Sequence, residues 1–380
     1  MKTKYLIVFF CVMSCRSQIS IYEFDPRNLK NNKITLSEIA DDINYIPLDN
    51  SFPINLIYKP KYFINNTIYL SSRESGIMAF DKSGKLIRKI GAIGRGPGEY
   101  ITNFNFTVDN VSETIYVFDG SNYTINVYSR SGIFLRKISA EEFKVGIDAM
   151  ESYNSNLFLS YPLQFVGVKY DWITMDSLGR VIKKKERSIP PFIISWGLGG
   201  GFYKFENKLN HWSPFTDAII SILPDFKTVT SYQFSRGIYR LPQIDFDPMK
   251  SFSLYFHPYS IFETRNYLVV RYFYKKLIIA LINKDDRKSH LIYLDENENG
   301  GIPNDFDGGP LFQPQNYFVE DGKEYMVSII TSLEMKTKVK STEFKNVTSK
   351  FIEKKEHLLK FSNTLKETDN PILMIVELKK

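Results

Sequence analysis

Apolar and polar residues alternate over short stretches along most of the chain, and clusters rich in Ser, Gly, Asp and Asn interrupt them every few residues. A period of two broken by turn residues predicts short β-strands joined by tight hairpins. Two stretches share one outline: NTIYLSSRESGIMAFDKSGKLIRKIG (66–91) and ETIYVFDGSNYTINVYSRSGIFLRKIS (113–139). Each passes through an Ile-Tyr strand, a polar turn, an aromatic strand, a Ser-Gly turn and a strand ending in Arg-Lys-Ile. Gly84 and Gly132 lie 48 residues apart, and Gly179 of ITMDSLGRVIKKK follows 47 later. A repeat of that length is a supersecondary unit that cannot bury its faces alone, so the units must stack or be arranged radially.

Four strands per period form a twisted antiparallel sheet, and radial repetition of such sheets gives a β-propeller. Later units are fainter: a third over about 147–188, a fourth over about 201–237, a fifth over about 259–295, and a sixth from LFQPQNYFVEDGKEYMVSIITS onward. The markers of the fourth unit are weak around 189–215. Beyond the sixth, SKFIEKKEHLLKFSNTLKET places Phe351, Leu358 and Leu365 on one helical face, with Asp369-Asn370-Pro371 as a stop, which predicts one helix inserted in the last blade. The terminal PILMIVELK and the early INYIPLD both have strand character, and their pairing would complete the sixth sheet and remove an exposed edge. The fold class expected is all-β: a six-bladed β-propeller of four-stranded antiparallel blades over residues 36–380, closed by N- and C-terminal strands.

The start of the chain breaks the pattern. In MKTKYLIVFFCVMSC, Lys2 and Lys4 precede an apolar run from Tyr5 to Met13, which is too short for the roughly 20 residues of a membrane span. It has the form of a secretory signal. Val12-Met13-Ser14-Cys15 resembles a bacterial lipobox, which implies that residues 1–14 are removed, that Cys15 is lipidated and that 15–35 form a linker. An ordinary secretory signal cleaved nearby is the alternative. Cys11 and Cys15 are the only cysteines, so no internal disulfide staples the mature chain.

Charge excludes one class of partner. Loss of Lys2 and Lys4 leaves 47 basic against 42 acidic side chains, a net +5, and the basic residues are scattered among aromatics and acids. This is not the stripe of a nucleic-acid binder. The Lys183-Lys184-Lys185 triplet and the Lys354-Lys355 pair fit solvated faces.

LSEIADDINYIPLD, MAFDKSGKLIRKIGAIGRGPGEY, HWSPFTDAIISI, IPNDFDGGPLFQP and DNPILMIVELKK occur in that order. Together they resemble the six-bladed β-propeller lipoproteins of Bacteroides and related bacteria, of the NHL/TolB-like kind, with Gly-Arg-Gly-Pro-Gly-Glu-Tyr the most specific piece. The resemblance covers about 36–380 and implies a fold and an envelope address. It implies no particular reaction. RSQ after Cys15 lacks the acidic run that resembles the surface-export signal of these bacteria, so a periplasm-facing position is favoured over the cell surface.

Known chemical motifs are mostly missing. In IGRGPGEY, Gly94, Gly96 and Gly98 alternate, Glu99 stands where a dinucleotide fingerprint needs its third glycine, and the NFNFTVD that follows is strand-like. No G-x-x-x-x-G-K-[ST] occurs. The glycines therefore point to a tight connection between blades. Asp295, Asn297, Asn299 and Gly300 match the first half of an EF-hand loop, but Phe306 replaces its bidentate Glu, so a solvated turn is favoured over an irregular calcium site. His211, His257, His290 and His357 never pair at i, i+4, and there is no G-x-S-x-G.

Aromatics suit inter-blade packing, although Tyr100, Trp196 and Trp212 also have the chemistry to line a ligand face. The loops 91–100 and 296–310 share one topological place, each leaving the last strand of a blade. They would bring Arg95, Glu99, Tyr100, Asn304, Asp305 and Asp307 to one face, as a set able to hydrogen-bond a polar ligand under an aromatic ring. The function expected is that of a monomeric, lipid-anchored, non-catalytic module that binds or scaffolds a glycan, a peptide or an envelope protein. The alternative is a metal-dependent hydrolase or lactonase, since lactonase-like propellers hold a central metal through Glu, Asn and Asp scattered over several blades. A purely structural envelope part is the third reading.

Overall fold

The computed structural model describes residues 20–23, 29–30, 32–55, 57–165, 167–193, 199–235, 237–244, 252–295 and 297–380. Cys15, the expected signal segment and Trp196 lie outside them. The architecture is mostly β, built from four-stranded antiparallel sheets in the arrangement of a β-propeller. Sheet 1 contains Ile57–Ile64, Thr67–Ser72, Gly76–Asp81 and Leu86–Ile90, and sheet 2 contains Phe106–Val108, Ile115–Asp119, Thr124–Tyr128 and Phe134–Ser139. Sheet 3 contains Ala149–Tyr153, Asn156–Ser160, Tyr170–Met175 and Val181–Glu186. Sheet 4 contains Gly201–Phe205, Lys208–Trp212, Ala218–Ile222 and Thr228–Ser235, and sheet 5 contains His257–Glu263, Tyr267–Tyr274, Lys276–Asn283 and Ser289–Leu294. Sheet 6 joins Asn316–Glu320 and Lys323–Ile330 to the late strand Ile372–Leu378, which pairs in turn with the early strand Ala40–Pro47.

Local chemistry explains the hairpins. Asn65-Asn66, Asn154-Ser155 and Glu206-Asn207 all have positive φ and form two-residue turns between the first and second strands of sheets 1, 3 and 4. The turns before the outer strands use Gly84, Gly132 and Gly179, whose φ values of +84°, +83° and +87° show one conformation repeated. Each of these glycines also abuts the outer strand of the preceding sheet. A Cβ on Gly132 would lie 2.7 Å from Lys89 O of sheet 1, one on Gly179 2.3 Å from Ile138 Cγ2 of sheet 2, and one on Gly84 2.0 Å from Pro47 O of sheet 6.

In sheets 1, 2 and 3 burial falls at the outer strand. Thr67–Ser72 is buried throughout because both of its faces meet neighbouring sheets, whereas Leu86–Ile90 alternates and Val181–Glu186 is almost wholly exposed. The core is a series of clusters between sheets. Tyr69, Ile90, Phe106, Val117 and Tyr128 fill the space between sheets 1 and 2, and Ile68, Met78, Phe80, Val327 and Leu373 that between sheets 6 and 1. First strands lie beside first strands from sheet 2 to sheet 6, and Asn316–Glu320 of sheet 6 lies beside Ile57–Ile64 of sheet 1.

Two features differ from the sequence reading. Residues 20–23, expected in a linker, form a short strand that pairs in parallel with Tyr232 to Ser235 on the outer edge of sheet 4. The insertion in sheet 6 is three helices, not one: α2 (Ser332–Lys340), α3 (Thr342–Asn346) and α4 (Ile352–Thr364), after the early turn α1 (Leu36–Ile39). Ser341 separates α2 from α3 because its hydroxyl accepts from Phe344 N and caps a new start. Of the three apolar residues expected on one face, only Leu358 lies within α4. Phe351 is its N-cap, with its ring 4.3 Å from that of Phe306, and Leu365 is its C-cap.

Candidate functional site

The glycine loop is a fastening. Ala92–Ile93 pairs in parallel with Glu99–Tyr100, and Glu99 Oε2 accepts from Gly96 N at 2.7 Å, closing the loop on itself. Gly91 (φ +59°) passes under the Tyr128 ring, whose hydroxyl donates to Gly98 O at 2.9 Å. Tyr100 is fully buried. Its hydroxyl donates to Ile90 O at 2.7 Å and accepts from Ile77 N at 3.0 Å, and burial pushes its pKa well up. It packs between sheets and presents no face to a ligand, whereas Arg95 is exposed at the loop tip.

Asn304, Asp305 and Asp307 also work inward. Asp305 accepts from the amide and hydroxyl of Ser37 at 2.9 and 2.6 Å, pinning α1. Burial opposes its ionisation, but the Ser37 hydrogen bonds outweigh this and hold its pKa below the usual range. Asp307 is buried and accepts from Asn304 Nδ2 at 2.7 Å, Gly309 N at 2.8 Å and Tyr45 OH at 3.0 Å. Burial raises the pKa of both Asp307 and Tyr45. This cluster borders a groove between Ala40–Pro47 and α4 at the rim, so the two loops do not converge on one site. Asp295 accepts from the amides of Asn297 and Asn299 and from Asn299 Nδ2, in a self-bonded turn.

The feature best suited to a ligand is one the sequence reading did not assign. A cavity of about 730 Å³ runs among the first strands of sheets 1 to 6. Rings of Phe63, Phe104, Phe202, Tyr259 and Phe318 line it. Phe63 and Phe318 stack at 4.1 Å, and Phe104 is nearly half exposed. Charge is sparse and placed: Lys204 Nζ of sheet 4 meets Glu151 Oε1 of sheet 3 at 3.0 Å, and that carboxylate also accepts from Thr107 Oγ1 of sheet 2 at 2.9 Å. Half-buried Asp148 accepts from Gly200 N at 3.0 Å, and burial lifts its pKa to about 7. A signal did exist in the sequence: AMESY and GFYKF each place a charge inside a strand that otherwise reads as core. Trp212 also borders the cavity but is only 4% exposed. Among the described residues, no three His, Cys, Asp or Glu side chains are placed to hold a metal ion.

Asp148 and His211 should oppose each other in pH dependence. His211, buried beside the Phe202 ring, has its pKa lowered to about 4 by burial. The stability contributed by Asp148 is full below pH 3.8 and is lost as pH rises towards 7, whereas that of His211 is present above pH 6.5 and lost as pH falls towards 4. Between pH 4 and 6.5 the two slopes cancel. Relative to wild type, Asp148→Asn should lose stability on acidification by about 1.4 kcal/mol per pH unit, and His211→Gln should lose a similar amount as pH rises. Urea midpoints across this range test it; variant curves parallel to wild type would reject the assignment.

Comparison with known proteins supplies a family and a fold. The family model described as Domain of unknown function (DUF4934) matches residues 20–377. Among solved structures, a candidate exported protein of Bacteroides fragilis is similar over 95% of this chain and 100% of its own, at 20% identity and a TM-score of 0.71. A member of the DUF4221 family from Bacteroides vulgatus is similar over 90% and 97%, at 13% identity and a TM-score of 0.50. A virginiamycin B lyase from Staphylococcus aureus, at 9% identity over 88% and 99% with a TM-score of 0.44, is too distant to carry an argument. No curated protein matches the chain in sequence. At such identities the likeness is one of fold alone.

Proposed function

The chain belongs to the family described as Domain of unknown function (DUF4934), and on that premise we propose that it is a closed six-bladed β-propeller, held at the cell envelope by acyl chains on Cys15, that binds a glycan or peptide in its central channel without transforming it. Closure is supported by the pairing of Ala40–Pro47 with Ile372–Leu378, by the neighbouring first strands of sheets 6 and 1, and by Gly84 meeting Pro47 as Gly132 meets Lys89. The envelope address is supported by the lipobox-like start and by the likeness to a candidate exported Bacteroides protein. A periplasm-facing position is favoured.

The observation that carries the binding reading is the channel itself: aromatic rings from several sheets around few charges, in a volume suited to a small organic ligand. Rings stack on the apolar face of a sugar or side chain, while Asp148 and the Glu151–Lys204 pair offer hydrogen bonds. The test is thermal melting with a panel of envelope glycans and peptides. A ligand at 100 times its Kd should stabilise the protein by about 2.7 kcal/mol. Phe104→Ala should abolish that shift while leaving the unliganded melt close to wild type, and Arg95→Ala should leave both intact. If no compound shifts the melt, or if Arg95→Ala is as damaging as Phe104→Ala, the channel reading fails.

A further inference from the structure

The central channel is charged against the sign of the chain. Basic side chains outnumber acidic ones by 49 to 42 overall, yet the channel wall carries four carboxylates, Asp109, Asp148, Glu151 and Glu206, against two ammonium groups, Lys204 and Lys208. A cleft lined mainly by one sign of charge, between walls of low dielectric, concentrates ions of the other sign. Cations are the ions this channel draws.

Two of the four acids are already answered within the protein. Glu151 meets Lys204, and Asp109 accepts from Val111 N, Ser112 N, Ser112 Oγ and Ser152 Oγ at 2.8 to 3.2 Å. Glu206 is exposed in a hairpin turn. Asp148 differs from all of these, because its one hydrogen bond among the described residues comes from Gly200 N at 3.0 Å and no described cation pairs with it. The adjoining segment 194–198 lies outside the described residues and contains no charged residue. Burial raises the Asp148 pKa to about 7 against that single hydrogen bond, with no contribution from a neighbouring charge. Its ionised form is short of a countercharge.

Aromatic rings accompany it. Asn105 Nδ2 donates to Ile147 O at 3.3 Å and Gly200 N donates to Asp148, so the segments that enter the first strands of sheets 2, 3 and 4 meet at one end of the channel. Phe104, 47% exposed, directly precedes Asn105, and Phe202 follows Gly200 by two residues; both line the same cavity. A carboxylate with rings on the adjoining segments suits an organic ammonium, which takes charge-assisted hydrogen bonds from the one and cation–π attraction from the other.

We infer that the channel selects ligands bearing a protonated primary amine: the ammonium donates to the Asp148 carboxylate, and Phe104 and Phe202 cover the carbon frame beside it. The inference rests on the channel being the binding site, and it narrows the ligand to amino sugars or peptides with an unblocked amine. An ammonium stabilises the ionised carboxylate, so binding expels the Asp148 proton into solvent. The other charged groups of the channel wall are Asp109, Glu151, Glu206, Lys204 and Lys208, with His211 beside the Phe202 ring. Asp148→Asn keeps an oxygen for Gly200 N and removes the charge, which separates its share from theirs.

Matched pairs of probes test this: a glucosamine disaccharide with its N-acetylated form, and a lysine dipeptide with its fully N-acetylated form. At pH 7 the unblocked member of one pair should bind about tenfold or more tightly than its acetylated partner, and the pair that responds tells a sugar from a peptide. Calorimetry at pH 6, in two buffers of different ionisation enthalpy, should show release of most of about one proton per complex, and affinity should fall about tenfold from pH 6 to pH 5. Asp148→Asn should lose the preference, the proton release and the pH dependence together. Equal binding of both members of a pair, abolished by Phe104→Ala, leaves the channel as a binding site and overturns the ammonium inference. A preference that survives Asp148→Asn overturns the assignment to this carboxylate. If neither pair binds, the inference falls whatever other compound the channel accepts.

Discussion

Deleting residues 371–380 is expected to abolish cooperative unfolding and leave most of the chain insoluble. The lost strand lies between Ala40–Pro47 and Lys323–Ile330, so its removal strips ladder partners from both. Unpaired backbone groups and two new edges follow. The apolar loss is larger still. Ile372, Leu373, Met374 and Val376 are completely buried, and at about 1.5–3 kcal/mol each they represent roughly 6–12 kcal/mol, comparable to the whole stability of an ordinary domain. Leu373 also sits in the cluster with Ile68, Met78 and Phe80 of sheet 1, so damage spreads across the seam between the last and first sheets. Circular dichroism during urea titration of the soluble fraction tests this; a truncated chain with the wild-type midpoint and slope would mean that the seam is dispensable.

The strand framework was legible because it rests on short-range rules. Gly84, Gly132 and Gly179 announced a period in the sequence, and their nearly equal φ values show that the spacing recorded one turn used three times. The fourth unit was fainter, yet its strands begin at Gly201, close to the bound read from the sequence. Side-chain destinations were not legible. Tyr100 was weighed as a ligand-facing ring, but which way an aromatic at a sheet boundary points depends on Ile77 and Ile90 of the neighbouring sheet. Asp307 looked like a polar loop residue because its partner Tyr45 lies 262 positions away in sequence. The channel escaped for the same reason: Glu151 and Lys204 are unremarkable apart and meet only when sheets 3 and 4 stand side by side.

Lys284 carries the second large expectation, since Lys284→Met should cost about 3 kcal/mol although the sequence places it in a polar turn. Glu263, at the end of the first strand of sheet 5, is 4% exposed. Its carboxylate accepts from Tyr203 OH at 3.3 Å and Tyr232 OH at 2.5 Å, both of sheet 4, and from Lys284 Nζ at 3.0 Å. Lys284 also donates to Thr264 O at 2.9 Å and lies 4.1 Å from the Phe205 ring centre, so the cation ties two sheets together. Removing it leaves a carboxylate with two phenol donors and no countercharge in a poorly hydrated place, where the desolvation cost is no longer offset. Burial and the nearby Glu263 charge push the pKa of the Tyr203 phenol well up, so it stays a neutral hydrogen-bond donor and supplies no countercharge. If the cost is that of an orphaned charge and not of lost packing, it should shrink when the charge is removed first. In a Glu263→Gln background, Lys284→Met should then cost less than about 1 kcal/mol, a coupling of roughly 2 kcal/mol in a double-mutant cycle. Strictly additive urea midpoints would show that the pair is no more than a surface contact between sheets 4 and 5.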